Sequence, residues 1–160
     1  MHYDKIQLLD NLREKLETVH ENKAKAYKST RQAALDAPGR NESRYDSTKV
    51  ETGWLADGIA RGIQDLEDGL LALRQFNFND TGNIVSVGDI IRLCDTKERT
   101  LTDLFILPYG AGEILQTDEG EVTVITPQTP LAQIALEELV GSFVVLQNTE
   151  DREYIILEKQ

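Results

Sequence analysis

The side chains best placed to do chemistry gather in one short stretch, Ala37 to Lys49, which reads Ala-Pro-Gly-Arg-Asn-Glu-Ser-Arg-Tyr-Asp-Ser-Thr-Lys. Its cations, Arg40, Arg44 and Lys49, continue a series begun by Lys23, Lys25, Lys28 and Arg31. Against them stand Glu21, Asp36, Glu42 and Asp46, so residues 21–49 carry a net +3 while the whole chain carries −11 and the remainder −14. A basic island on an acidic molecule is suited to a polyanionic or acidic environment, from which the rest of the chain is repelled. The plainer alternative is two solvated helix faces. Glu42 and Asp46 stand four apart and share a face if a helix begins by Asn41 or Glu42, with Arg40 and Arg44 placed to neutralise them as surface ion pairs. Tyr45 suits stacking on a nucleotide or capping a turn.

Other chemistry is excluded by residue type and spacing. His2 and His20 lack the partner spacing of a zinc site, and no nucleophile and base are paired. Cys94 is the single cysteine and falls in the apolar run Ile90-Ile91-Arg92-Leu93-Cys94, so it reads as a small core residue. Gly110-Ala111-Gly112 lacks the further glycine and the basic residue of a phosphate loop and reads as a turn. An intrinsic enzyme is not expected. The net negative charge argues against independent, sequence-specific DNA binding. No apolar run approaches the roughly 18 residues that span a bilayer, and the N-terminus lacks the apolar core of a signal peptide, so the reading is cytoplasmic, with no membrane partner.

Two helical stretches must position Ala37–Lys49. Leu9, Leu12, Leu16, Val19, Lys23, Ala26, Thr30 and Ala33 recur at spacings of three and four, which predicts a helix from about Asp4 to Leu35, roughly 45 Å long. Val50, Trp54, Leu55, Ile59, Ile63, Leu66, Leu70 and Leu73 supply a partner stripe and place Trp54 in the seam. Pro38-Gly39 reverses the chain between them, so residues 1–76 are expected to form an antiparallel coiled-coil hairpin with its tip at 37–49. Gly53, Gly58, Gly62 and Gly69 either allow close approach of the two backbones or mark a bend. Residues 77–83 read as a connector.

Residues 84–160 read as a small domain of the α+β class, a mostly antiparallel sheet with one short helix. The expected strands are Ile84–Val87, Asp89–Cys94, Leu101–Leu107, Glu121–Ile125, Phe143–Leu146 and Tyr154–Leu157. The helix covers Pro130 to Glu138, with Thr129 as N-cap and Pro130 at its first position.

Two segments are specific beyond this pattern. Asn41-Glu42-Ser43-Arg44-Tyr45-Asp46-Ser47-Thr48-Lys49-Val50-Glu51-Thr52-Gly53-Trp54-Leu55 is one, with its Tyr, its Lys and its Gly-aromatic-Leu step. The other is Thr126-Pro127-Gln128-Thr129-Pro130-Leu131-Ala132 followed by Gly141-Ser142-Phe143-Val144-Val145. In this order, flanked by a heptad hairpin, they resemble the Gre family of bacterial transcript-cleavage and elongation factors over nearly the whole chain.

The resemblance implies a coiled coil that inserts into the secondary channel of core RNA polymerase and an FKBP-like C-terminal domain that docks at the channel entrance. It implies that Lys23, Lys25, Lys28, Arg31 and Arg44 face RNA near its 3′ segment or the acidic channel wall. It makes Pro130, Leu131, Gln133 and Ile134 docking residues, with Gln133 standing where the family has a basic residue. Cleavage-competent members hold a second Mg²⁺ of the polymerase with an Asp and a Glu at the tip. Aligning on Tyr45 puts Pro38 and Asn41 at those places, so Glu42, Asp46 and Asp36 are the acids left to serve such a metal, and Pro38, Gly39 and Tyr45 shape the tip. The sequence-level alternatives are an FKBP-like peptidyl-prolyl isomerase or chaperone, with Phe105, Tyr109, Phe143 and Tyr154 as its aromatic residues, and a coiled-coil adaptor for another helical protein.

Overall fold

The computed structural model describes residues 2–36, 48–147 and 151–160. Two long helices, α1 (Lys5–Asp36) and α2 (Thr48–Gln75), precede strands β1 (Ile90–Asp95), β2 (Leu101–Ile106), β3 (Ile114–Thr117) and β4 (Gly120–Ile125). Helix α3 (Pro130–Ala135) and strands β5 (Phe143–Leu146) and β6 (Arg152–Lys159) complete the chain. The chain divides into two compact units, one of Met1–Arg13 with Leu71–Gln160 and one of Glu14–Leu70.

The first unit is built on a six-stranded sheet in the order β3-β4-β2-β1-β6-β5. The sheet is mostly antiparallel, as expected, with one parallel pair, β2 and β4, in which Asp103 lies opposite Val122 and Phe105 opposite Val124. The cause is β3, a strand the sequence reading missed. It forms a hairpin with β4 through Asp118-Glu119 and lies outside it, so β4 returns beside β2 in the same direction. Ile114-Leu115-Gln116-Thr117 offers a single inward apolar residue, Leu115, too little alternation to announce a strand. Conversely, Ile84–Val87 is not a strand. Ile84 makes one bridge to Leu139, and the chain then turns where the Asp89 carboxylate accepts the Ser86 N–H at 2.7 Å and its hydroxyl at 2.8 Å.

One face of the sheet packs Ile91, Leu93, Leu104, Ile106, Ile125, Val144 and Ile156 with Val85 and the α3 residues Ala132 and Ala135. The alternate residues Ile90 and Phe105 pair across β1 and β2 on the other face. Phe78 lies nearly parallel to Phe105 at 6.3 Å, and Phe76 meets Phe78 edge-on at 5.3 Å. Leu8, Leu9 and Leu12 of α1 are buried in this unit. Leu12 comes so near Gly110 that a Cβ there would lie 3.2 Å from its methyl carbon, and Gly110 adopts φ of 97°; the Gly-x-Gly is a tight turn under a helix. Cys94, expected in the core, is only half-buried, since it alternates with buried Leu93 and Asp95 along β1.

Polar contacts fix the first turn of α1 to the sheet. The Asp4 carboxylate caps the helix by accepting the N–H groups of Ile6 and Gln7 at 3.0 Å. Tyr3 is 5% exposed and donates its N–H to the Gln160 side chain at 2.8 Å and its hydroxyl to Asp103. Arg92 holds the same carboxylate with two hydrogen bonds of 2.7 Å. Burial alone would raise the Asp103 carboxyl, but the hydrogen bonds from Arg92 and Tyr3 prevail and hold it below the usual range. Burial, reinforced by Asp103, pushes the Tyr3 phenol up to about 12.

The stability contribution of Asp103 is therefore complete above its unfolded pKa and is lost as pH falls through the lower folded value, below about pH 4. That of Tyr3 is complete below 10.0 and is lost as pH rises toward about 12. Tyr3→Phe is expected to cost about 1 kcal/mol at neutral pH and Asp103→Asn more, because Arg92 loses its carboxylate. Urea unfolding at stepped pH should show the acid-side loss in the wild type and a smaller one in Asp103→Asn, where Asp95 and Glu158, also held below the usual carboxylate range, still contribute.

Candidate functional site

The hairpin candidate lies in the unit Glu14–Leu70. The His20 ring Nε2 and Glu67 Oε1 are 2.9 Å apart, and Lys23 Nζ lies 3.3 Å from where a Cβ on Gly62 would stand. The residue numbers of these facing pairs add to 87 and 85, which fixes the helices as antiparallel. Gly62 thus lets a lysine lie across α2, whereas a Cβ on Gly53 or Gly58 would meet nothing within 4 Å.

The seam departs from the expected one at its distal end. In α2 the covered positions are Thr52, Ala56, Ile59, Ile63, Leu66 and Leu70, at strict spacings of four and three. Trp54 and Leu55 fall between them and are 70% and 58% exposed, so Trp54 is an outward residue rather than a seam residue. In α1 the covered positions beyond Leu16 include His20, Tyr27 and Thr30, while Ala26 and Ala33 are exposed. Tyr27 is partly covered where the sequence pattern assigned Ala26.

Lys23, Lys25, Lys28 and Arg31 are all exposed, and among the described residues none has a carboxylate partner. Arg31 donates to the Tyr27 hydroxyl at 2.7 Å and lies 5.9 Å from its ring centroid, held out from the helix by an aromatic neighbour. Asp36 is exposed at the last position of α1, where its two oxygens accept from the Gln32 amide at 2.9 and 3.0 Å. Pro38, Gly39, Glu42, Arg44, Tyr45 and Asp46 lie outside the described residues. Among the described residues no group of three or more His, Cys, Asp or Glu is placed to hold a metal ion.

The docking candidate lies in the other unit. Pro130 opens α3 as expected, with Thr129 at the N-cap position, but the Thr129 hydroxyl donates back to Thr126 O at 2.8 Å instead of capping the helix. Pro130 and Gln133 are exposed; Leu131 and Ile134 are half-buried because they also pack on the core. The sequence reading missed Leu139 and Ile84, 55% and 45% exposed and joined by a bridge beyond the end of α3. Their signal was hidden because an apolar residue in a strand-like run reads as core.

Leu66, 3% exposed in the seam, should cost about 2–4 kcal/mol when changed to Ala, whereas Trp54→Ala should stay within about 0.5 kcal/mol of the wild type. Denaturant unfolding followed by circular dichroism at 222 nm, a wavelength about where helices absorb, checks both.

No protein-family model matches the chain, and no curated protein matches it. Among solved structures the chain is similar to the GreA factor homolog 1 (Gfh1) protein of Thermus thermophilus, with 18% identity and a TM-score of 0.38 over 92% of this chain and 94% of that one. It is similar to Thermus aquaticus Gfh1 at 14% identity and a TM-score of 0.39, covering 92% of each chain. It is also similar to the prokaryotic transcription elongation factor GreA/GreB from Nitrosomonas europaea, at 14% identity and a TM-score of 0.38, over 59% of this chain and 78% of that one.

Proposed function

We propose that this chain is a Gre-like regulator of transcription elongation that binds bacterial RNA polymerase and places its helical hairpin in the secondary channel. The observation that carries the reading is a two-helix hairpin with four exposed cations, Lys23, Lys25, Lys28 and Arg31, that lack carboxylate partners among the described residues, on a chain of net charge −11. The motif around Tyr45 and the Thr126–Ala132 segment support it from the sequence. Such a hairpin is attracted to RNA or to an acidic wall while the remainder is repelled by both. The exposed Pro130 and Gln133 and the half-buried Leu131 and Ile134 form the docking face in this reading.

The donor set does not fit the metal role of cleavage-competent relatives. Pro38 has no ligand atom and Asn41 is a neutral amide, a poorer partner for Mg²⁺ than a carboxylate. Asp36 is engaged by Gln32. In this reading the factor acts by occupying the channel, changing pausing or access, and Glu42 and Asp46, which lie outside the described residues, are the acids whose part in a metal site would overturn it. The isomerase alternative gains no support from Phe105, which is fully buried and stacked on Phe78.

Purified protein should bind core polymerase, and the pair Lys28→Ala and Arg31→Ala should weaken binding about fivefold, on the order of 1 kcal/mol, with a shallower salt dependence. No retention on core polymerase at low salt sinks the reading. Stimulated RNA cleavage in backtracked complexes that Glu42→Ala abolishes would leave the partner standing and overturn the occupancy mechanism.

A further inference from the structure

β5 is the outermost strand on its side of the sheet, paired only with β6. Ser142 O accepts the Ile156 N–H at 3.1 Å just before the strand, and the register continues with Phe143 opposite Ile155 and Val144 opposite Tyr154. Hydrogen-bonded residues alternate along an antiparallel ladder, so Val144 and Leu146 turn their backbone groups toward β6, and Phe143 and Val145 turn theirs toward the open side. Among the described residues no backbone group pairs with them there. The same two residues expose their side chains, 61% and 44%, on one face of the sheet, while Val144, 5% exposed, packs into the core on the other.

The two edges of the sheet differ in charge. β3, outermost on the far side, is bracketed in sequence by Glu113, Asp118 and Glu119, and charges at an edge keep other strands from adding to it. β5 has no such guard, since from Leu139 to Gln147 no side chain is ionised on a chain of net charge −11.

We propose that β5 is a self-association edge, onto which a second copy of this chain adds its own β5 in the antiparallel sense. A two-fold axis through Val144 puts Phe143 of each copy opposite Val145 of the other. Both have outward backbone groups, so each such pair exchanges two hydrogen bonds. The rotation keeps Phe143 and Val145 of both copies on one face, where aromatic and β-branched side chains meet across the seam beside Ile155. A register shifted by one residue would set outward groups against inward ones. Two copies of an acidic chain repel wherever their carboxylates meet, and an uncharged strip that is its own complement meets least of that repulsion. Four residues a side are few beside the roughly 1,200 Å² of specific interfaces, so the dimer is a weak one that forms on concentration.

The test is sedimentation equilibrium of the full chain over a wide concentration range, with amide hydrogen exchange of the β5 peptide at both ends of the range. The weight-average mass should climb from 18.0 kDa toward twice that value, more readily in added salt, which screens the net charge. Exchange at Phe143 and Val145 should slow several-fold over the same range. Val145→Pro removes an outward N–H that the sheet does not use, and Phe143→Glu adds an acid at the seam. Each should hold the mass at 18.0 kDa while keeping the wild-type circular dichroism. A mass of one chain at every concentration overturns the proposal, as does a dimer that either variant leaves intact. Protection of β5 that appears only when core polymerase is added would give the edge to a strand of that partner and overturn it too.

Discussion

Two antiparallel helices stay together only if the gap between them is filled at every level, and here the filling from α2 shrinks from leucine to alanine and threonine. At the Leu16 and Leu70 end the seam is leucine, with Leu16, Leu66 and Leu70 almost wholly covered. Farther out it passes through Ile63 and Ile59 to Ala56 and Thr52 on one side, and through His20 and Tyr27 to Thr30 on the other. Small seam residues bury little area, at roughly 25 cal/mol per Å². Beyond the leucine part of the seam, beside which the His20 ring meets Glu67 at 2.9 Å, hydrophobic cohesion therefore declines along the hairpin. The lysines and arginine that give this part its charge stand where the seam offers least apolar surface to cover.

The sheet unit solves a different problem. Its two faces are closed by different materials, α3 and Val85 on one, and Phe78 with the buried leucines at the start of α1 on the other. Holding that first helical turn requires polar as well as apolar contacts. Tyr3, Asp103 and Arg92 form one buried set, and Asp89, Lys159 and Lys5 another. Both sets join residues distant in sequence, so each is formed only once the sheet has its register.

Much of this was legible in the residues. Long periodicity announced α1 to within a residue, and Pro130 announced the start of α3, although that helix ends at Ala135, three residues short of the expected Glu138, and the Thr129 side chain does not cap it. Trp54 was misplaced because a hydrophobic index cannot distinguish a seam residue from an outward one when Ala56 and Thr52, the true seam residues, are small. The parallel neighbour of β2 was invisible because it depends on β3, whose four residues carry one inward side chain. The polar sets at Tyr3 and Asp89 had no signal at all, since their members lie up to 157 positions apart, as Tyr3 and Gln160 do. The two candidate surfaces were proposed from motifs, while the exposed Ile84 and Leu139 needed coordinates.

The outward position of Trp54 has a practical side. It is the single tryptophan in the chain, and it stands in water on the hairpin. Its emission reports the surroundings of that helix alone, so the chain carries a built-in optical probe. Any macromolecule that encloses the hairpin would shift its colour toward blue, while ligands confined to the sheet would leave the spectrum untouched.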